Sequence, residues 1–496
     1  MTGIAHANVL VLDGSTGQPR ETLGGKAWSI EQMRALDVPV PPAFVLTTQV
    51  CQEYYDGGQE LPVHVWSAVP EAMSHLEHVT GRTFGTGDHP LLVSVRSGAA
   101  TSMPGMMDTV LNLGMTDGVS QALAAQSGDP AYADDTRERF REQFEQVVGV
   151  AAPDDPWEQL RLAIIAVLDS WNSRRAVSYR RDRGISDDGG TAVTVQAMVF
   201  GNLDNRSGTG VLFTRNPLSG SAEPYGEWLP RGQGEDIVSG RSDALPLDDL
   251  ASVMPGAYTD LMTAATKLEQ HSRDVQDIEF TVESGTLWLL QTRSAKRSPE
   301  AIVRHAVQLQ RQGLISVSEA LDRIAPEHLE TLLAPHIDPA ALDTATTVAT
   351  GKPACPGIAT GTVVVDADEA QDRAEAGENV VLARPSTHPD DVAAMSMCQA
   401  VLTELGGSTS HAAVACREMG IPCIVGCGEG TVTGTAGQEL TVDAAEGTVY
   451  KGRPTIVAGS EGEDPDIVQI STWLQEELGG DAAGSLAELL RIRSGQ

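Results

Sequence analysis

The residues best placed to do chemistry lie in one run: Thr403-Glu404-Leu405-Gly406-Gly407-Ser408-Thr409-Ser410-His411-Ala412-Ala413-Val414-Ala415-Cys416-Arg417-Glu418-Met419. Ala400, Val401 and Leu402 before it read as a buried strand, and the two glycines turn the chain. Thr409 and Ser410 are good N-cap residues in front of a run of helix formers. His411 therefore falls in the first turn of a helix, beside free backbone N–H groups and the positive end of the helix dipole. An anion can rest there next to an imidazole. A phosphoryl group held on the ring is the simplest chemistry that uses every part. A lone histidine in a strand–loop–helix is more often a buried or capping residue, and it is the long surrounding run that favours a functional His411.

A second set of polar residues falls on a predicted hairpin. Asp277-Ile278-Glu279-Phe280-Thr281-Val282 alternates strictly, Glu283-Ser284-Gly285 makes the turn, and Thr286 to Arg293 returns. The two-residue period puts Asp277 and Glu279 on one face and Ile278, Phe280 and Val282 on the other. On the returning strand Gln291 and Arg293 share a face, as do Trp288 and Leu290. Two carboxylates and a Gln–Arg pair on adjacent strands could hold Mg2+ and a nucleotide phosphate. They could equally be the solvated face of a hairpin.

Two further stretches could reach phosphates. Leu23-Gly24-Gly25-Lys26-Ala27 leads into an amphipathic helix through Met33 and Leu36 and can bring Lys26 to an anion, although a solvated lysine is the commoner outcome of so short a pattern. The strand from Leu91 ends near Arg96 and enters a loop of small residues, Ser97 to Ala100, continuing through Thr101-Ser102-Met103-Pro104-Gly105-Met106-Met107-Asp108-Thr109. Small residues let the backbone approach a polyphosphate, and Arg96 can fork onto its oxygens. Methionines in a polar loop suggest a lid that folds down on something.

At 496 residues the chain has room for two to four domains. Hydrophobic residues at 41% suffice for real cores, and 50 glycines with only 4% aromatics suit a Gly/Ala-rich α/β enzyme better than a disordered chain. The net charge of −34 argues against nucleic acid and anionic membranes as partners. It also leaves any bound nucleotide to be held by local Arg and Lys groups. No apolar run reaches membrane-span length, and the N-terminus lacks a charged n-region and a long apolar h-region, so the expected location is cytoplasmic. Cys51, Cys355, Cys398, Cys416, Cys423 and Cys427 form no CxxC pair and read as reduced thiols rather than metal ligands.

The elements that must position these residues divide the chain into residues 1–296, a helical linker over 297–350, a small α/β unit over 351–454 that displays His411 on a loop, and an acidic linker with a helical tail over 455–496. The stripe Leu160, Ala163, Ile164, Val167, Leu168 and Trp171 marks one face of a long scaffold helix within a helical region from Tyr132 to Arg183. Thr48 is a candidate helix cap, and Thr344 to Thr347 read as linker.

The pattern Gly-Gly-x-Thr-Ser-His-Ala-Ala-Val-x-x-Arg-x-Met-Gly, followed by Ile421-Pro422-Cys423-Ile424-Val425-Gly426, resembles the phosphohistidine domain of the pyruvate phosphate dikinase family. The resemblance runs from about Leu23 to Lys451 and takes in Leu91 to Thr109, Thr214-Arg215-Asn216-Pro217, Gly234-Glu235-Asp236 and the Gln276-Asp277-x-Glu279-Phe280-Thr281 hairpin. It implies an α/β chain, with an ATP-grasp-like nucleotide-binding domain followed by a swivelling phosphohistidine domain. It implies that Lys26 and Arg96 contact the phosphates of ATP. It puts Asp277 and Glu279 near Mg2+ and the ribose, Gln291 and Arg293 at the phosphate end, and Glu279 and Gln291 as metal ligands. His411 is the phosphoryl carrier, with Arg96 and Arg293 assisting.

Three departures stand out. The family's barrel, which binds pyruvate or phosphoenolpyruvate, is expected to be missing, so a separate partner would supply the acceptor. The helical region between about Arg137 and Trp157 looks short for the family. Glu404-Leu405 and Ser408 replace residues that are usually basic or apolar, which should weaken phosphate attraction near His411. Two rivals remain. A phosphotransferase for another small molecule needs an acceptor domain for which 294–349 looks too short, and a non-catalytic nucleotide-binding regulatory module would have no need of Lys26, Arg96, Glu279, Arg293 and His411 together.

Overall fold

The computed structural model describes residues 7–101, 103, 105–234, 236, 244–333, 336–337, 339–342, 345–457, 464–479 and 484–495. Ser102 and Pro104 of the small-residue loop, Glu235, the 237–240 stretch, Pro335, Thr344, the 458–463 linker and Gly480 lie outside the described residues. The chain divides into two units, Met1–Gly208 with Glu279–Thr292, and Thr209–Ile278 with Arg293–Gln496.

The first unit is built on an antiparallel sheet in the spatial order Val9–Val11, Ala43–Leu46, Ala192–Ala197, Val93–Gly98, Thr109–Leu113. Val93 with Val95 and Val193 with Val195 enter one core at the two-residue period, and Val110 and Leu113 both reach it because their strand is irregular, with Asn112 at φ 59°. Helices Val63–Thr80, Pro130–Val148 and Pro156–Asp169 close that core. The helical region expected from Tyr132 is three helices, because Gly149 caps the first in the left-handed conformation at φ 81° and Ser173 starts the third. Leu160, Ala163, Ile164, Val167 and Leu168 are fully buried, while Trp171 falls in the 3-10 turn Ser170–Asn172. Each large apolar side chain so buried contributes about 1.5–3 kcal/mol, so this helix needs no role beyond scaffolding.

The helix expected after the Gly-Gly-Lys loop is present, but helical residues begin upstream, at Arg20, and run to Ala35 with a break at Gly24. Gly24 takes φ 71° and ψ 160°. A Cβ there would stand 1.8 Å from the Gly98 carbonyl oxygen, so only glycine lets the two segments touch. Thr48 is the first residue of the helix Thr48–Asp56 rather than its cap, and its hydroxyl donates to the Glu21 carbonyl at 2.8 Å.

The hairpin is formed by Gln276–Glu283 and Thr286–Ser294, with Ile278, Phe280 and Val282 buried as the alternation predicts. Its outer part belongs to the first unit and its base to the second. In the second unit, strands Gly208–Phe213 and Tyr225–Pro230 are neighbours. Helices Pro299–Arg311, Val317–Asp322, Pro326–Leu332, Pro465–Leu478 and Leu486–Ser494 share one core with Val211, Phe213 and Val275. The segments read as helical linker and tail therefore bury their apolar faces on each other, the usual outcome for amphipathic helices within reach.

The rest of the second unit is an eight-stranded sheet in the order Thr347–Thr350, Thr448–Lys451, Glu439–Asp443, Ile358–Val364, Val380–Arg384, Ala400–Thr403, Cys423–Val425, Lys352–Cys355. Ile358–Val364 to Cys423–Val425 run parallel and the flanking pairs antiparallel. The Thr-rich stretch expected as linker ends in the edge strand Thr347–Thr350, so this sheet begins before Gly351. Its Thr and Val residues are good strand formers once a partner edge is available. The six cysteines are free and buried. Among the described residues no helix is long and apolar enough to cross a membrane, and no group of three or more His, Cys, Asp or Glu could hold a metal.

Candidate active site

Two glycine-rich segments meet in the first unit. The Gly25 N–H donates to the Ala99 carbonyl at 2.9 Å, Arg20 Nε donates to the Ala100 carbonyl at 2.9 Å, and a Cβ at Gly98 would stand 3.5 Å from that of Lys26. Lys26 is thereby brought beside the strand that bears Arg96. Arg96 Nη2 lies 3.6 Å from Glu279 Oε2 and 3.4 Å from Gln291 Oε1. Ser29 pins the helix of Lys26 to the strand of Gln291, donating to the Thr292 carbonyl at 2.8 Å and accepting from its N–H at 3.0 Å. Lys26, Arg96, Glu279 and Gln291, expected together, are thus on neighbouring segments of one unit. The long Arg96–Glu279 contact leaves guanidinium donors for a phosphate. Glu279 and Gln291 converge on the same nitrogen, each through an oxygen. That donor set fits Mg2+, which takes one or two protein oxygens and fills its shell with phosphate and water.

The methionines of the small-residue loop are tucked in rather than raised. Met103 and Met106 are each 6% exposed and pack in the core of this unit. Arg175 Nε donates to the Met106 carbonyl at 3.2 Å, and the Arg175 guanidinium pairs with Asp108.

At the base of the hairpin, in the second unit, Arg293 Nε lies 2.8 Å from the buried Asp277 carboxylate. The alternation that set Asp277 and Arg293 on adjacent strands therefore makes them partners of each other. Arg215, from the Thr-Arg-Asn-Pro stretch, is scaffold: it is buried, 2.6 Å from Glu269, and donates to Gln308 and Gln312.

His411 stands where the sequence reading put it. Ala400–Thr403 is buried throughout and lies between the parallel strands Val380–Arg384 and Cys423–Val425. Beyond its C-terminal end the chain turns at Gly406 and the helix His411–Met419 begins. Open α/β sheets bind ligands beyond the carboxyl ends of their parallel strands. Ser410 is the N-cap, its Oγ accepting from the Ala413 N–H at 3.5 Å. His411 is half-buried, and its Nδ1 is buried with no hydrogen-bond partner among the described residues. Burial lowers its pKa below the ordinary 6.5; Asp391 opposes the shift and His388 adds to it. Asp391 is itself buried, accepts from the His388 N–H at 2.8 Å, and lies 3.5 Å from Arg384 Nε.

Glu404 does not turn toward the histidine. It is buried, and its carboxylate accepts from the Thr433 N–H at 3.0 Å and the Thr433 hydroxyl at 2.5 Å. Burial pushes its pKa up, but the hydrogen bonds from Thr433 and the Gly430 backbone outweigh it and hold the carboxyl below its ordinary range. The carboxylate is thus held ionised by loop donors.

Arg417, Tyr225 and Glu227 were not singled out in the sequence. The buried Arg417 donates through Nη1 to the carbonyls of Ser408 at 2.9 Å and Ala354 at 3.0 Å, so it braces the loop in front of His411. Its signal was its place on the His411 helix, one guanidinium among small and apolar neighbours. Glu227 gave no signal: the hydroxyl it meets, that of Thr409, is 182 residues further on.

A mixed α/β chain that sets a loop-borne histidine beyond one sheet, and a guanidinium–carboxylate–amide group on another part, defines a nucleotide-binding module joined to a histidine-bearing one. The chain belongs to the pyruvate phosphate dikinase family. Residues 57–244 and 251–313 match the AMP/ATP-binding domain of pyruvate phosphate dikinase, and residues 376–447 match the mobile domain of PEP-utilising enzymes. The chain is 40% identical to pyruvate, phosphate dikinase of Clostridium symbiosum over 493 residues, covering 87% of this chain and 56% of that protein. It is 39% identical to that of Rhizobium meliloti (strain 1021) over 526 residues, covering 92% and 58%. It is 41% identical to pyruvate, phosphate dikinase 2 of Zea mays over 455 residues, covering 82% and 51%. The chain spans about half the length of the curated relatives it matches.

Proposed function

We propose that this chain is an ATP-dependent phosphotransferase that phosphorylates its own His411, turning ATP and inorganic phosphate into AMP and pyrophosphate. The observation that carries the reading is His411 itself: it heads its helix beyond the parallel strands, burial favours its neutral form, and its Nδ1 is enclosed. Nε2 is then the nucleophile. It attacks the β-phosphorus in line; an N–P bond forms, the bond to the oxygen bridging the α-phosphate breaks, and AMP leaves. Inorganic phosphate next takes the terminal phosphoryl group, leaving phosphohistidine and pyrophosphate. Water in place of phosphate is the nearest variant.

Lys26, Arg96 and Arg293 offset charge on the phosphates, and Asp277 and Glu279 border the metal and the ribose. Mg2+ held by Glu279 and Gln291 would supply further positive charge to the phosphate oxygens. The nucleotide half would extend to about residue 296, and the carrier would occupy 351–454 together with the Thr347–Thr350 strand. The phosphoryl group would pass to pyruvate, or to another small acceptor, bound outside these residues. The setting would be cytoplasmic.

The test is an acid-labile, base-stable phosphoryl adduct on the peptide bearing His411 after incubation with ATP, phosphate and Mg2+. Its pH dependence follows from the site. The neutral imidazole reacts, and its folded pKa lies below 6.5. The acid limb of the rate should therefore have its midpoint below 6.5. Asp391→Asn removes a group that raises the pKa and should move the acid limb lower still. An acid limb with its midpoint above pH 6.5 would contradict the neutral-nucleophile reading.

A further inference from the structure

The loop in front of His411 is gripped from outside its own sheet, within the second unit. Glu227, on the strand Tyr225–Pro230, is 6% exposed. Its carboxylate accepts from Thr409 Oγ1 at 3.1 Å and Ser408 Oγ at 3.5 Å, and lies 3.3 Å from Lys352 Nζ. Gly407 leaves the room for it, since a Cβ there would stand 2.4 Å from Glu227 Oε2. Tyr225 lies on the same face of that strand, and its hydroxyl shares a hydrogen bond with Ser408 Oγ. Further along the helix, Arg417 lies over the Phe213 ring and Lys296 Nζ is 3.0 Å from Glu418. The three residues held most closely, Gly407, Ser408 and Thr409, precede the N-cap Ser410 and His411.

A carboxylate this buried is costly unless it is fully met, and these partners all sit on the histidine-bearing module. We propose that Glu227 is a positioning residue that latches this loop: it fixes the backbone at 407–409, and through it the His411 ring, in the arrangement that accepts the phosphoryl group. Letting go of Glu227 frees the module. The chemistry of the contact suits a reversible grip. An apolar contact would expose apolar surface to water at each release, whereas a carboxylate, an ammonium and two hydroxyls exchange their bonds for water at small net cost. The inference rests on His411 being the phosphoryl carrier.

The experiment uses the full chain, wild type beside Glu227→Ala, Glu227→Gln and Lys352→Met. Amide hydrogen exchange without nucleotide, ATP affinity, and single-turnover transfer of label from ATP are measured on each. In Glu227→Ala, exchange across 405–411 should rise about tenfold or more and label transfer should fall about as much, as loss of charge-assisted hydrogen bonds implies. ATP affinity should hold, and strands Ala400–Thr403 and Cys423–Val425 should keep their protection. Glu227→Gln, which can still bond the hydroxyls, should fall between. Adding Lys352→Met to Glu227→Ala should change nothing more, because the two act through one contact. Unchanged exchange and transfer in Glu227→Ala would overturn the proposal, and so would loss of protection across the whole sheet, which would make Glu227 part of the fold alone. If the wild type takes no label, the exchange data still decide the latch, so the two readings fail separately.

Discussion

His411→Ala is expected to abolish acid-labile label on the protein while leaving ATP affinity within about twofold. The side chain is half-buried at the head of a helix whose cap is made by Ser410, not by the ring. Its Nδ1 makes no hydrogen bond among the described residues, so truncation takes the proposed nucleophile and little else from the fold. The sheet beneath, with Val401, Leu402, Cys423 and Ile424 all fully buried, does not depend on it. Residues that act as a covalent carrier leave no slower route when they are removed. Label that survives in the variant would place the carrier elsewhere.

Arg96→Ala should have the next largest effect, a fall of about 100- to 1000-fold in label transfer, the range for losing one preorganised charge at a developing anion. Arg96 is the nitrogen on which Glu279 and Gln291 converge. If Arg96 faces the phosphates as proposed, its loss would remove one positive charge there and leave the Glu279 carboxylate to repel them. Arg96→Lys should rescue only in part, since an ammonium cannot serve the carboxylate, the amide and a phosphate in one plane. The strand itself is held by Val93 and Val95 in the core, so the melting temperature should barely move. A variant with wild-type transfer would show that Arg96 is merely the partner of Glu279.

Local pattern carried the sequence reading a long way. The strand–glycine–cap–helix order around His411 is a set of short-range rules, and each was visible within a few residues of the next. The hairpin was legible for the same reason: strict alternation fixes which side chains share a face, and Ile278, Phe280 and Val282 had to go inward. What alternation could not tell was which polar neighbour would meet which. Arg293 pairs with Asp277, while Glu279 is met by Arg96, brought from another strand of the first unit. The partner of Glu404 was not legible either, because Thr433 meets it in space from 29 residues further along the chain. The helices after residue 298 read as linker because their core is shared with residues past 464. Glu227 was invisible for the same physical reason: no local rule connects a strand carboxylate to a loop so far along the chain.

The central claim is tested most directly by incubating the protein with Mg2+ and ATP labelled at either the β or the γ phosphate, with and without inorganic phosphate. The account predicts that β-label stays on the protein in acid-labile, base-stable form, and that γ-label departs as pyrophosphate only when phosphate is added. Absence of label from both positions, or retention of γ-label while β-label leaves with the nucleotide, would contradict it.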